Sequence, residues 1–232
     1  MRKVLGRFGD RILHLAKPVH RKMRNQKIDL FLNFAGIPPS RARLLDVGGG
    51  PGVDGEFLRL YSNFVEVVLV NLNTHAFEPP NGISTQWVIA DGCRLPFASR
   101  SFDWVFSNAV IEHVGDWEKQ KKFANEIRRV AAKGYFVTTP NKLFPIEPHT
   151  LLPFYQFLSP AQQRYFVRFS PAYMREPHEI NLLSARDLHV LFPEALVRKI
   201  GLRFFSNSLV AVHRVAWSLG MRQENECLRN VV

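Results

Sequence analysis

Leu44-Leu45-Asp46-Val47-Gly48-Gly49-Gly50-Pro51-Gly52 is the stretch on which the reading of this 232-residue chain turns. Arg43 to Val47 is short and mostly apolar, which suits a strand buried on both faces. The glycines that follow let the backbone turn sharply and approach a ligand with no Cβ in the way. Asp54 is then placed to cap a helix over 54–62. Strand, glycine turn and helix in that order predict a ligand cradle at the carboxyl end of a parallel strand. Asp46 is expected to fix the turn by accepting hydrogen bonds from backbone amides.

Working outward, the same alternation continues. Val65 to Val70 reads as a second strand, Trp87 to Ala90 as a third and Phe102 to Phe106 as a fourth. Residues 117–130 read as a helix, because Phe123, Ile127 and Val130 fall on one apolar stripe. Tyr135 to Thr139 is a fifth strand, halted by Pro140. A helix is expected from Ser184 or Ala185 to about 192, then two strands at 195–200 and 208–215 joined through Gly201. The prediction is an α/β fold with a Rossmann-like, seven-stranded, mostly parallel sheet and helices on both faces. Residues 141–185 break the rhythm with six prolines and many aromatics, and are expected to form an inserted lid or substrate region.

Toward the N-terminus, Leu5, Phe8, Ile12, Leu13 and Leu15 suggest an amphipathic helix ending before Pro18, which either lies on lipid or covers the body of the protein. A further helix is expected over 22–35, stopped by Gly36 and Pro38-Pro39. Residues 1–35 are thus read as a basic helical extension and 36–232 as the main domain.

Composition narrows the function classes. An apolar fraction of 46% with 19 Phe excludes a disordered chain, and two cysteines (Cys93 and Cys227) exclude a disulfide scaffold. Lys and Arg number 31 against 20 Asp and Glu, giving +11. Nine of the basic residues lie in 1–30, against Asp10 and Asp29 only. Such an arm attracts anionic lipid, phosphate-bearing ligands or nucleic acid, or is simply a solvated face. No apolar run reaches the roughly 20 residues needed to span a bilayer. The basic residues near the start are not followed by a signal-type apolar core. The expected location is the cytoplasm, with peripheral contact at an anionic membrane face.

Two cofactor classes fit a glycine turn. Gly50-Pro51-Gly52-Val53-Asp54-Gly55 satisfies the dinucleotide pattern GxGxxG, but it begins three residues beyond Val47, and the second strand ends in Asn71 rather than the acid that grips a ribose. Later blocks point elsewhere. Ala90-Asp91-Gly92-Cys93-Arg94-Leu95-Pro96-Phe97 is followed by Ser101-Phe102-Asp103-Trp104-Val105-Phe106-Ser107-Asn108-Ala109-Val110-Ile111-Glu112-His113-Val114. Together with the glycine turn, these blocks resemble class I S-adenosylmethionine-dependent methyltransferases of the type 11 subgroup over about 42–140.

The resemblance implies roles for individual residues. Asp46, Gly48, Gly50 and Gly52 match the loop beneath the methionine and ribose of the cofactor, S-adenosyl-L-methionine. Asn71 stands where most relatives carry an acid for the ribose hydroxyls, and Leu72 would border the adenine. Asp91 would accept a hydrogen bond from the adenine amino group, with Gly92 and Cys93 beside it. Asn108 would lie near the methionine end, and His113 would face cofactor or substrate.

On the acceptor side, Glu147 and His149 are two apart and would share a face in an extended segment, as a base and its orienter. With His113 they are the candidate catalytic residues. His178, Glu179 and Asn181 form a second polar cluster. Glu147, His149 and His178 lack the spacing of a known metal motif, so no metal site is expected. The leading expectation is methyl transfer to a small-molecule acceptor, a lipid-linked or sugar intermediate among the candidates. Nucleic-acid methylation is the alternative favoured by charge, but Asn108-Ala109-Val110-Ile111 lacks the Asn-Pro-Pro-Tyr pattern of base amino-group methylation. Protein methylation and a non-catalytic scaffold with the same fold complete the set.

Overall fold

A computed structural model describes residues 21–36, 42–50, 57–73, 84–170, 180–202 and 205–215. The expected N-terminal amphipathic helix, Asp54, Gly52, His178, Glu179 and the segment 218–232 lie outside the described residues. The elements in chain order are α1 (21–35), β1 (Arg43–Val47), α2 (Leu58–Tyr61), β2 (Glu66–Asn71), β3 (Thr85–Ile89), β4 (Phe102–Asn108), α3 (Trp117–Val130), β5 (Ala131–Pro140), α4 (Pro160–Phe166), α5 (Ala185–Leu191), β6 (Leu196–Leu202) and β7 (Phe205–Arg214).

All seven strands form one sheet in the order β3-β2-β1-β4-β5-β7-β6. The first five are parallel, while β7 runs antiparallel to both β5 and β6. From β1 the chain winds outward to β3 on one side and then crosses to β4 on the other. Ligands bind at such a switch point, where loops leaving adjacent strands diverge. Here those loops begin at Gly48 and Ala109.

Successive residues of the central strands serve opposite faces. Leu45, Val68 and Val105 pack with Phe123 and Ile127 of α3 and Leu188 of α5. Leu44, Val67, Trp104 and Phe106 pack with Ile28 and Phe31 of α1 and with Leu60 and Tyr61 of α2. Phe31 meets the rings of Trp104, Phe106 and Phe136 at centroid distances of 5.9, 5.3 and 5.3 Å. Caps fix the helix starts: Asp116 accepts from Lys119 N at α3, and Ser184 and Asp187 form a reciprocal capping box at α5.

Two of the differences from the sequence expectation have a plain physical reason. β5 starts at Ala131 rather than Tyr135, since Ala131 already pairs with Phe102 across a register shift. Gly201 does not join the last two strands. It lies inside β6 at φ +147°, where the register between Ile200 and Leu202 shifts, so this glycine permits a bulge rather than a turn. In the segment 141–170, the described aromatics Phe154, Phe157, Tyr165, Phe166 and Phe169 are exposed rather than gathered into a core.

Candidate active site

The turn after β1 is held from beneath. Asp46 is buried and accepts a 2.6 Å hydrogen bond from the Tyr61 hydroxyl, which also donates to Gly50 O at 3.1 Å. Burial pushes the Asp46 carboxyl up to about 7, and the Tyr61 hydrogen bond opposes that rise. No amide donor reaches Asp46 among the described hydrogen bonds; Tyr61 takes the place expected for backbone amides, because α2 brings its ring directly under the strand end. Gly48 sits at φ +79°, where an added Cβ would lie 2.2 Å from Val110 Cγ2. A Cβ on Gly49 would lie 2.7 Å from Asp46 Cγ. Among the described residues, a Cβ on Gly50 would meet nothing within 4 Å. Two glycines are therefore required by the protein's own packing, while the third meets no described residue and leaves room of the kind a ligand fills.

Around this turn the sequence candidates take distinct positions. Asn71 donates from Nδ2 to Gly49 O (3.2 Å) and accepts from Leu72 N (2.8 Å), so its amide braces the turn from the end of β2. Leu72 is exposed beside it. Asp91 is exposed and accepts from Cys93 N at 2.8 Å. Gly92 packs under α3, where a Cβ would come within 2.7 Å of Phe123 Cε2. The Cys93 thiol reaches Lys119 O and is pushed up to about 11 by burial and by Asp91, which leaves it protonated and unreactive near neutral pH. Asn108 Oδ1 accepts from Thr138 Oγ1 (2.8 Å) and from Lys27 Nζ of α1 (3.3 Å). Burial pulls the Lys27 ammonium down to about 8.

Beyond Asn108, a short 3-10 turn at Ile111–His113 places Glu112 inward and His113 outward. Glu112 is fully buried; its Oε2 accepts from Thr139 Oγ1 at 3.0 Å, and burial pushes its carboxyl up to about 7. Asn181 holds this turn in place, donating from N to Glu112 O and from Nδ2 to Gly115 O, while Gln120 Nε2 donates to Ile111 O and Asn181 O. Glu147 accepts from His149 Nδ1 (2.7 Å), from Thr150 N (2.6 Å) and from Thr150 Oγ1 (2.7 Å). The pair is made by a tight turn, in which Leu151 N donates to Glu147 O, and not by an extended segment. Burial pushes Glu147 up, but the hydrogen bonds from His149 and Thr150 outweigh it and hold the carboxyl below its ordinary range.

His149 Nε2 then meets His113 Nε2 at 3.1 Å, with the rings nearly perpendicular. The fold thus assembles His113, Glu147 and His149 in one place. Tyr61, Lys27 and Glu112 are components that the sequence reading missed. Glu112 had a signal in its own neighbour, since it directly precedes His113. Lys27 and Tyr61 had none, because only helix packing brings them there.

With this geometry in place the similarities become specific. Residues 45–138 match the type 11 methyltransferase domain family. Over those residues, less than half of its length, the chain is similar to that family. An uncharacterized methyltransferase of Mycobacterium sp. (strain KMS) is 36% identical over 108 residues, which is 46% of this chain and 41% of the relative. One from Mycobacterium tuberculosis strain H37Ra is 35% identical over 114 residues, 47% of this chain and 42% of the relative. The chain therefore spans less than half the length of these curated relatives.

The chain also shares its fold with solved structures. N-methyltransferase NodS from Bradyrhizobium japonicum WM9 superposes with a TM-score of 0.55 at 12% identity, covering 85% of this chain and 96% of that one. The 1,6-didemethyltoxoflavin-N1-methyltransferase of Burkholderia thailandensis, with bound 1,6-didemethyltoxoflavin and S-adenosylhomocysteine, gives 0.54 at 15% identity, covering 87% and 82%. Among the described residues, no helix is long and apolar enough to cross a membrane.

Proposed function

We propose that this chain transfers a methyl group from S-adenosylmethionine to a hydroxyl of a small-molecule acceptor, in the class of lipid-linked or sugar intermediates. The observation that carries the reading is the space at Gly50, which no described residue fills, preceded by two glycines that packing closes, at the switch point of the sheet. Those residues fit the cofactor: backbone at Gly48 to Gly50 under the methionine and ribose, Asp91 and Leu72 at the adenine, and Asn108 toward the sulfonium. Asn71 serves mainly by keeping the turn in shape, since both ends of its amide are engaged. The cofactor, when bound, supplies a methyl group already activated as a sulfonium.

The remaining work is to orient an acceptor, exclude water and remove a proton. His149 Nε2 is the accepting atom, because Glu147 holds the proton of its ring at Nδ1. His113 borders the same spot. The exposed aromatics of 154–169 supply an apolar approach for a lipid-bearing acceptor. The basic segment 1–35 would hold such an enzyme against an anionic membrane on its cytoplasmic side, with 36–232 as the catalytic domain and 141–185 shaping the substrate site.

Titration calorimetry tests the donor half. S-adenosylhomocysteine should bind and NAD should not, and Asp91→Ala should weaken S-adenosylhomocysteine about tenfold, the loss of one good hydrogen bond. Failure to bind S-adenosylhomocysteine at millimolar concentration would remove the reading. The acceptor is found by incubating the chain with methyl-labelled cofactor and fractionated extract and identifying the labelled product.

A further inference from the structure

The cluster of Glu112, His113 and His149 beside β4 and β5 leaves one buried oxygen that its hydrogen bonds do not satisfy. An ionised Glu147 only accepts, so its bond to His149 Nδ1 places the ring proton there. His149 Nε2 is then an accepting lone pair, 3.1 Å from His113 Nε2. Glu112 is 0% exposed, yet its Oε1 has no hydrogen-bond partner among the described residues. That orphaned oxygen stands 3.8 Å from His113 Nε2. One ligand atom from each of Glu112, His113 and His149 lies within 4.8 Å of the other two. If His113 donates from Nε2 to His149, Glu112 Oε1 still gains nothing. A buried polar atom left so calls for a missing partner.

We propose that Glu112, His113 and His149 bind one divalent transition-metal ion of the zinc type, with Glu147 as the outer carboxylate that orients His149. One cation uses both imidazole lone pairs and the orphaned oxygen at once. Zinc bonds of about 2.0–2.2 Å at tetrahedral angles set ligand atoms about 3.3–3.5 Å apart; the observed 3.1 and 3.8 Å lie near that spacing, and the third separation, within 4.8 Å, shortens as the ion draws the ligands in. The Glu147–His149 arrangement is the carboxylate–histidine pairing that fixes tautomer and ring direction at metal centres. Two imidazoles and one carboxylate favour zinc or cobalt over magnesium, which prefers an all-oxygen shell.

Three protein ligands leave a fourth position for an oxygen donor, as in catalytic zinc sites. The position is next to the glycine turn, since Val110, two residues before Glu112, is the side chain that closes against Gly48. That the fourth position takes the acceptor's hydroxyl rests on the methyl-transfer reading; there the cation replaces the bare imidazole as the group that makes the oxygen reactive. The metal binding itself does not depend on that reading.

The test is equilibrium dialysis of the full chain against Zn2+, with metal analysis, and against Mg2+ as comparison. One zinc per chain is expected, with Mg2+ failing to compete at equal concentration. His113→Ala and His149→Ala should each weaken zinc at least 100-fold, and Glu147→Gln 10- to 100-fold. His113 and His149 lie outside the core, so near-ultraviolet circular dichroism should be native in both. The Co2+-loaded chain should show the visible absorption of a four-coordinate site, lost in His149→Ala. Zinc retained unchanged by both histidine variants, or no zinc retained at several-fold excess, overturns the proposal. Zinc binding with no S-adenosylhomocysteine binding upholds the site and removes the methyl-transfer reading instead; S-adenosylhomocysteine binding without zinc does the reverse.

Discussion

The side-chain hydrogen bonds that hold Gly49 and Gly50 come from one stretch of chain: Tyr61 of α2, anchored on Asp46 of β1, and Asn71 of β2. The opposite lip of the cleft is assembled differently. Glu112 and His113 follow β4, Glu147 and His149 follow β5, Lys27 reaches in from α1, and Asn181 arrives from well beyond the prolines. The first half is shaped by backbone and packing, with almost no freedom left in it. The second half is an arrangement of ionisable side chains from separate loops, whose chemistry depends on how each loop is anchored. One half is set by the fold itself, while the other rests on side chains that the loops carry.

That contrast can be broken by substitutions on either side. The largest effect is expected on the side-chain lip: His149→Ala should lower turnover of the true acceptor by about 10²- to 10⁴-fold, the usual worth of a positioned acid-base or metal-ligand group, with S-adenosylhomocysteine affinity unchanged in calorimetry. If donor affinity falls as well, the two halves are not separable. Gly48→Ala strikes the backbone side. Its Cβ would meet Val110 at 2.2 Å in a left-handed conformation, so urea unfolding should show a loss of about 2–4 kcal/mol.

A third variant, Tyr61→Phe, removes the donor to the buried Asp46 carboxyl and should cost about 1–3 kcal/mol. It also sharpens the pH dependence. Asp46 is raised from 3.8 unfolded to about 7 folded, so the native state holds a proton that the unfolded chain has released. Its contribution to stability is full below about pH 4 and is lost as pH rises through about 7. Without the Tyr61 bond the folded value climbs further and the loss extends to higher pH. Asp46→Asn should flatten this part of the unfolding profile. The smallest effect on stability belongs to Gly50→Ala, within about 0.5 kcal/mol, because its Cβ meets no described residue. Its S-adenosylhomocysteine affinity should nonetheless fall, measured in the same calorimeter. Equal stability losses for Gly48→Ala and Gly50→Ala would erase the distinction between a packed glycine and a ligand-facing one.

What the sequence made legible follows the same division. Val67 to Val70 and Trp104 to Phe106 are continuous apolar runs, because strands buried on both faces have no polar side to show. Residues 117–130 were readable as a helix from the Phe123, Ile127 and Val130 stripe. Gly201 was misread, since a glycine marks equally a turn and a bulge until the pairing partner is known. Glu147 and His149 were readable as neighbours but not as parts of a turn. Their meeting with His113, 36 residues from His149, depends on β4 and β5 lying side by side, which no local spacing records. The same holds for the metal ligands: an adjacent Glu-His pair and a remote His match no linear motif.

The ring of Phe31 has a consequence for where this molecule can be cut. Family resemblance begins at residue 45, yet Phe31 seals Trp104, Phe106 and Phe136 from water. A fragment trimmed to the recognisable stretch would wear three bare rings on its back. The piece that covers those rings comes from a helix outside the matched residues.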